Sequence, residues 1–212
     1  MPVSAAERCV FVHIPKTGGT SVEAALGLLG DWRFEDRERL YGRIRSPELA
    51  ARPYLSRFLQ HLTLNEIHEV LPESRDWFSF AFVRNPWDRV VSTWSNPDPH
   101  MVRAAHDLGL ELRGHSLAGF LERTAQLEHA HLAPQHAYLT DAAGELAVEH
   151  LGRFETLAAD FEAICCRLGV TAELPHRNAS RHRPYREHYD AATRQAVEER
   201  YGEDIERFGY GF

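Results

Sequence analysis

Lysine is nearly absent from this chain: of its 24 basic residues, Lys16 is the only lysine and all the others are arginine. Cysteine is scarce as well. Cys9, Cys165 and Cys166 are too few and too poorly spaced to frame a disulfide scaffold or a zinc-type cysteine pairing, so a reducing compartment is expected. No run approaches the roughly 18 apolar residues of a membrane span. The opening Met1-Pro2-Val3-Ser4-Ala5-Ala6-Glu7-Arg8 also lacks a cationic segment leading into a long apolar core. A cytoplasmic protein without a membrane span is the expectation. Positive charge is in deficit, with a formal net charge of −7, which argues against a nucleic-acid partner. Any anion site must then be local, built from a few arginines, backbone N–H groups and helix ends. Repeats, linkers and low-complexity tracts are missing too. The 212 residues, 43% hydrophobic and 26% charged, read as a single domain over 1–212.

What is present alternates between strand and helix. Residues 9–14 read as a short buried strand, followed by a glycine pair and a helix over 21–29. Residues 62–71 read as a helix closed by Pro72. Residues 77–83, dense in aromatic and branched side chains, read as a second strand. Arg84-Asn85-Pro86 ends it, with Asn85 placed as a helix cap and Pro86 as the first helical residue. Asn96-Pro97-Asp98-Pro99 breaks the chain, and about 96–140 is expected to form a helical lid or insertion. A third short strand is expected near 151–155, then a helix over 157–168 ending at Gly169, and a last helix over about 191–201. This pattern predicts an α/β fold with a mostly parallel central sheet flanked by helices, whose ligands sit beyond the carboxyl ends of the strands.

The chemistry gathers at two of those strand ends. In His13-Ile14-Pro15-Lys16-Thr17-Gly18-Gly19-Thr20-Ser21, the glycines let the backbone turn its N–H groups towards an anion. Thr20 and Ser21 add hydroxyls at the start of a helix. Lys16 supplies a compact, mobile point charge where a chain so rich in arginine would otherwise place a planar fork. The nucleoside-triphosphate loop needs its lysine directly before the Ser or Thr; here the lysine precedes both glycines.

Pro15-Lys16-Thr17-Gly18-Gly19-Thr20-Ser21 resembles the 5′-phosphosulfate loop of the sulfotransferase superfamily. Phe82-Val83-Arg84-Asn85-Pro86-Trp87-Asp88-Arg89-Val90-Val91-Ser92 resembles its 3′-phosphate motif. The likeness extends through His61-Leu62-Thr63, Pro134-Gln135, Gly152-Arg153-Phe154-Glu155 and Asp204-Ile205 to Tyr210, and is nearest to the carbohydrate branch. It implies a P-loop-like sheet and, as co-substrate, 3′-phosphoadenosine 5′-phosphosulfate, with adenosine 3′,5′-bisphosphate as product and no metal. Lys16 would stabilise the leaving phosphate oxygen, while Thr17, Gly18, Gly19, Thr20 and Ser21 would hold the 5′-phosphate. Arg84 and Ser92 would bind the 3′-phosphate. The Arg177 to Tyr185 loop resembles the segment that covers the nucleotide in this family.

The acceptor is expected to bear a hydroxyl: the branch resemblance favours a carbohydrate or glycosylated small molecule, and a lipid-linked sugar, natural product or tyrosyl peptide is equally compatible. His61 is the expected general base, since relatives carry a catalytic histidine between the two cofactor motifs. His13 is the rival, although a buried histidine orienting the loop suits it better. Glu23 is a third candidate base, since other branches of the family use a glutamate, although a solvated or capping role suits its place on the helix better. Arg84 has an alternative as a strand-end cation paired with Asp88, and Ser92 as a small helix residue. His129, His131 and His136 suggest a metal only weakly, because no carboxylate or cysteine pattern completes them. Two further readings of the whole chain are a nucleoside-triphosphate-dependent kinase and a non-catalytic nucleotide-binding module.

Overall fold

The structure, a computed structural model, describes residues 3–175 and 183–212. In chain order its elements are β1 (Val3–Ser4), β2 (Cys9–Val12), α1 (Gly19–Ala25), α2 (Pro47–Ala50), α3 (Leu64–Val70), β3 (Phe78–Val83), α4 (Pro86–Ser95), α5 (Pro99–Asp107), α6 (Leu117–Thr124), β4 (His150–Arg153), α7 (Leu157–Leu168) and α8 (Ala191–Phe208). Short 3₁₀ turns lie between several of them. The chain divides into two compact units, Met1–Val83 with Gln135–Ala179, and Arg84–Pro134 with Ser180–Phe212.

The first unit is built on a four-stranded sheet in the order β1-β2-β3-β4. The strands β2, β3 and β4 run parallel, with Phe11 opposite Phe80 and Phe82 opposite Gly152. Only β1, a two-residue edge strand, is antiparallel. All of β2 and nearly all of β3 are buried on both faces, as continuous apolar runs in a parallel sheet should be. Phe11 stacks on Phe80 with ring centroids 5.1 Å apart, and Phe82 meets Phe80 edge-on at 6.4 Å. Phe161, Ile164 and Cys165 of α7 close this core. Gly152 makes room for it: a Cβ there would come within 2.5 Å of the Phe82 ring. Burial pushes the Cys9 thiol up to about 11, so it behaves as a small core hydrophobe.

The local rules hold where they have a mechanism. Thr63 caps α3 in a full capping box with Glu66, so the helix starts at Leu64 instead of Leu62. Helix α7 stops at Gly169, which is left-handed with φ 68°. In the second unit Asn85, Asp98, Ser116 and Asp190 cap α4, α5, α6 and α8 respectively. Helix α8 extends beyond the expected end at 201, because Tyr201 (φ −122°, ψ 24°) only kinks it and the helix continues to Phe208. Trp87, Val90 and Val91 of α4 pack with Leu117, Leu121, Val197 and Tyr201. Met101, Ala105, Phe120 and Leu132 form a second cluster. β1 and α2 were not anticipated: segments of two and four residues are shorter than the periodicity that would reveal them.

Candidate functional site

Beyond Val12 the chain leaves the carboxyl end of β2 and turns through His13–Gly18 into α1. Gly18 sits at the helix entry with φ 86°, a conformation glycine adopts freely. Lys16 is also left-handed, at φ 72°. For a residue with a Cβ that costs about 1–2 kcal/mol, which the surrounding loop must hold in place. Thr17 does part of that holding, since it is fully buried and its hydroxyl donates to the Ile14 carbonyl at 2.9 Å. The Thr17 side chain therefore serves the turn, and its contribution to an anion can come only from its N–H. Ser21 donates its N–H back to the Gly18 carbonyl at 2.9 Å. The earliest N–H groups of a helix have no intrahelical acceptor, which makes this turn suited to an anion. Lys16 and Thr20 are half-buried, and Ser21 is buried.

Gly19 is required by contact as well as by the turn. A Cβ placed on it would lie 2.1 Å from His13 Cδ2 and 2.2 Å from Nε2, so the imidazole lies directly against this backbone. His13 is held there from its other side, with Nδ1 2.8 Å from Glu23 Oε1. Glu23 is 1% exposed, which corrects its expected solvated or capping role. Burial alone would push its carboxyl up, but the charge and hydrogen bond of His13 hold it below the usual carboxylate value. The inward side of α1 thus carries a carboxylate whose purpose is to fix a histidine.

His61, in the 3₁₀ turn before α3, meets His13 edge to face with ring centroids 4.7 Å apart. Its Nδ1 lies 3.0 Å from the His13 carbonyl. A carbonyl can only accept, so Nδ1 carries the proton and the neutral ring keeps its lone pair on Nε2. Lys16, the glycine turn, His13, Glu23 and His61 are therefore contiguous within the first unit.

In the second unit Arg84, the residue directly after Val83, is 4% exposed and its Nε donates to Asp88 Oδ2 at 2.9 Å. The pairing offered as the alternative reading of Arg84 is present, and it orients the guanidinium plane. Asn85 caps α4 by accepting from the N–H groups of Trp87 and Asp88, and its Nδ2 donates to the Gly211 carbonyl at 2.9 Å. Ser92 lies two turns along α4 and is buried. Of the Arg177 to Tyr185 segment, 177–182 lies outside the described residues. Asp98 was also passed over; it lies with His129 and His131, a group of possible metal ligands. Asp98 had no readable signal as a ligand, since the histidines beside it are distant in sequence, whereas Glu23 was in view and only its burial against His13 was unreadable.

Among the described residues no helix is long and apolar enough to cross a membrane. No curated protein matches the chain. The sulfotransferase family model matches residues 2–211, essentially the whole length, and the chain belongs to that family.

Proposed function

We propose that this member of the sulfotransferase family transfers the sulfuryl group of 3′-phosphoadenosine 5′-phosphosulfate to a hydroxyl of a carbohydrate or glycosylated small molecule. The observation that carries the donor assignment is the turn from Lys16 to Ser21. Two left-handed residues and a glycine pressed against His13 hold the backbone open at the start of α1, with the lysine ahead of the glycines. That order suits a phosphosulfate and departs from the arrangement that cradles ATP. The acceptor class rests on the likeness to the carbohydrate branch alone.

In the proposed reaction the acceptor oxygen attacks sulfur in line, and the bond from sulfur to the bridging phosphate oxygen breaks. The chain's task is positioning and charge stabilisation. The Lys16 ammonium neutralises the charge that grows on the departing phosphate oxygen. The N–H groups of Thr17, Gly18, Gly19 and Thr20 and the Ser21 hydroxyl hold the 5′-phosphate. Arg84, oriented by Asp88, and Ser92 take the 3′-phosphate. His61 Nε2 accepts the acceptor's proton, a role supported by the Nδ1 bond to the His13 carbonyl. Glu23 and His13 act through the turn and are positioning residues.

Calorimetry with adenosine 3′,5′-bisphosphate and with ATP tests the donor. Tight binding of the bisphosphate, weak binding of ATP, and a selective loss of bisphosphate affinity over adenosine 5′-monophosphate in Arg84→Ala are expected. Tight ATP binding without the bisphosphate would favour a kinase, and equal losses in Arg84→Ala would remove the 3′-phosphate role.

A further inference from the structure

Away from the turn, the second unit gathers a different set of ligands. One potential ligand atom from each of Asp98, His129 and His131 lies within 4.8 Å of the others, and all three residues are half-buried. Two imidazoles and a carboxylate are a borderline donor set of the kind that holds zinc with one position left for water. We propose that Asp98, His129 and His131 form a binding site for a divalent transition metal of the zinc class, which ties the loop after α6 to the start of α5.

The local structure prepares each ligand. Asp98 Oδ1 caps α5 by accepting from the N–H groups of His100 at 2.9 Å and Met101 at 3.1 Å, leaving Oδ2 as the oxygen available to a metal. The cap fixes the carboxylate much as an outer hydrogen bond orients a metal-ligating carboxylate. The His131 N–H reaches His129 Nδ1 at 3.2 Å. A metal on this ring therefore replaces that long bond at Nδ1, or takes Nε2 after the proton moves to Nδ1.

Tetrahedral ligand atoms about 2.0–2.1 Å from zinc sit about 3.3 Å from one another. Separations reaching 4.8 Å thus require the site to contract by up to about 1.5 Å, within the reach of side-chain rotation. Charge sets the terms of the site. Arg89 and Arg200 line a small cavity together with His131 and oppose a further cation, so the Asp98 charge must carry much of the affinity. His136, grouped with these histidines by sequence, is not part of the cluster.

The test uses the full, untagged chain stripped with a chelator, then titrated with zinc against a chromophoric competitor. Cobalt is read separately by its visible absorption. Asp98→Asn keeps a good N-cap while removing the charge. It is expected to weaken zinc by at least the 10- to 100-fold, or about that, which loss of a supporting partner costs. His129→Gln and His131→Gln should do the same and abolish the low-coordinate cobalt spectrum. Zinc should raise the melting temperature of the unaltered chain and not of the variants. Failure to bind one equivalent, or affinity and spectrum unchanged in all three variants, would overturn the site.

Discussion

Replacing Gly19 by alanine tests the contact on which the turn depends. The added Cβ would fall 2.1 Å from His13 Cδ2, about 1.4 Å inside an ordinary carbon contact of ~3.5 Å. Either α1 shifts or the ring does. Overpacking of this kind costs about 1–3 kcal/mol. If His13 moves, its 2.8 Å bond to the buried Glu23 carboxylate is broken, at about 1–3 kcal/mol more. Alanine would regain about 0.5–1 kcal/mol from the backbone entropy that glycine forfeits. The expected loss for Gly19→Ala is therefore about 3 kcal/mol, within a span of about 1–5 kcal/mol. The same change made in His13→Ala should cost nothing and can gain about 0.5–1 kcal/mol, because the obstructing ring is gone and only the backbone-entropy gain remains. Urea unfolding of the four chains gives a double-mutant cycle with an expected coupling of about 2 kcal/mol or more. If Gly19→Ala costs the same with and without the His13 ring, the packing argument fails and the glycine is needed for another reason.

Lys16→Arg keeps the charge but replaces a mobile ammonium with a planar fork, and should lower release of adenosine 3′,5′-bisphosphate from the donor by about tenfold or more. Unchanged release would show that any cation suffices. Asn85→Ala removes a cap accepting from two N–H groups and a 2.9 Å bond to the Gly211 carbonyl, and should cost about 2 kcal/mol in chemical denaturation. A loss below the error of the measurement would mean that α4 is held by its packing alone. The Glu23 carboxyl is held below its ordinary 4.5, so it contributes stability above that pH and loses the contribution as pH falls through its lower folded value. Comparing unfolding of the native chain and Glu23→Gln between neutrality and strong acid should show their stability difference shrinking below about pH 4.5. A difference that grows on acidification would reverse the assigned direction.

Much of the fold was legible because its signals are local. The apolar runs of β2 and β3, the Asn85-Pro86 entry to α4 and the Gly169 exit from α7 each depend on neighbours within a turn or two. The antiparallel edge strand and the four-residue α2 escaped for want of length, and α8 ran on because a kink and an end share the same local cues. The loop composition and the lysine's place ahead of the glycines also came from adjacent residues.

By itself the sequence determined that the chain is α/β and directed attention to the Lys16 turn and the Arg84 strand end, since residue type and short spacing carry that information. Only the tertiary structure decided what those residues touch. Folding put His13 over Gly19, buried Glu23 to hold it, and turned His61 by its bond to the His13 carbonyl. It also brought Asp98, from a distant stretch of chain, beside His129 and His131. The physical reason is the same in each case: hydrogen bonds, burial and side-chain proximity act through space, and no local pattern encodes which distant side chain will arrive there.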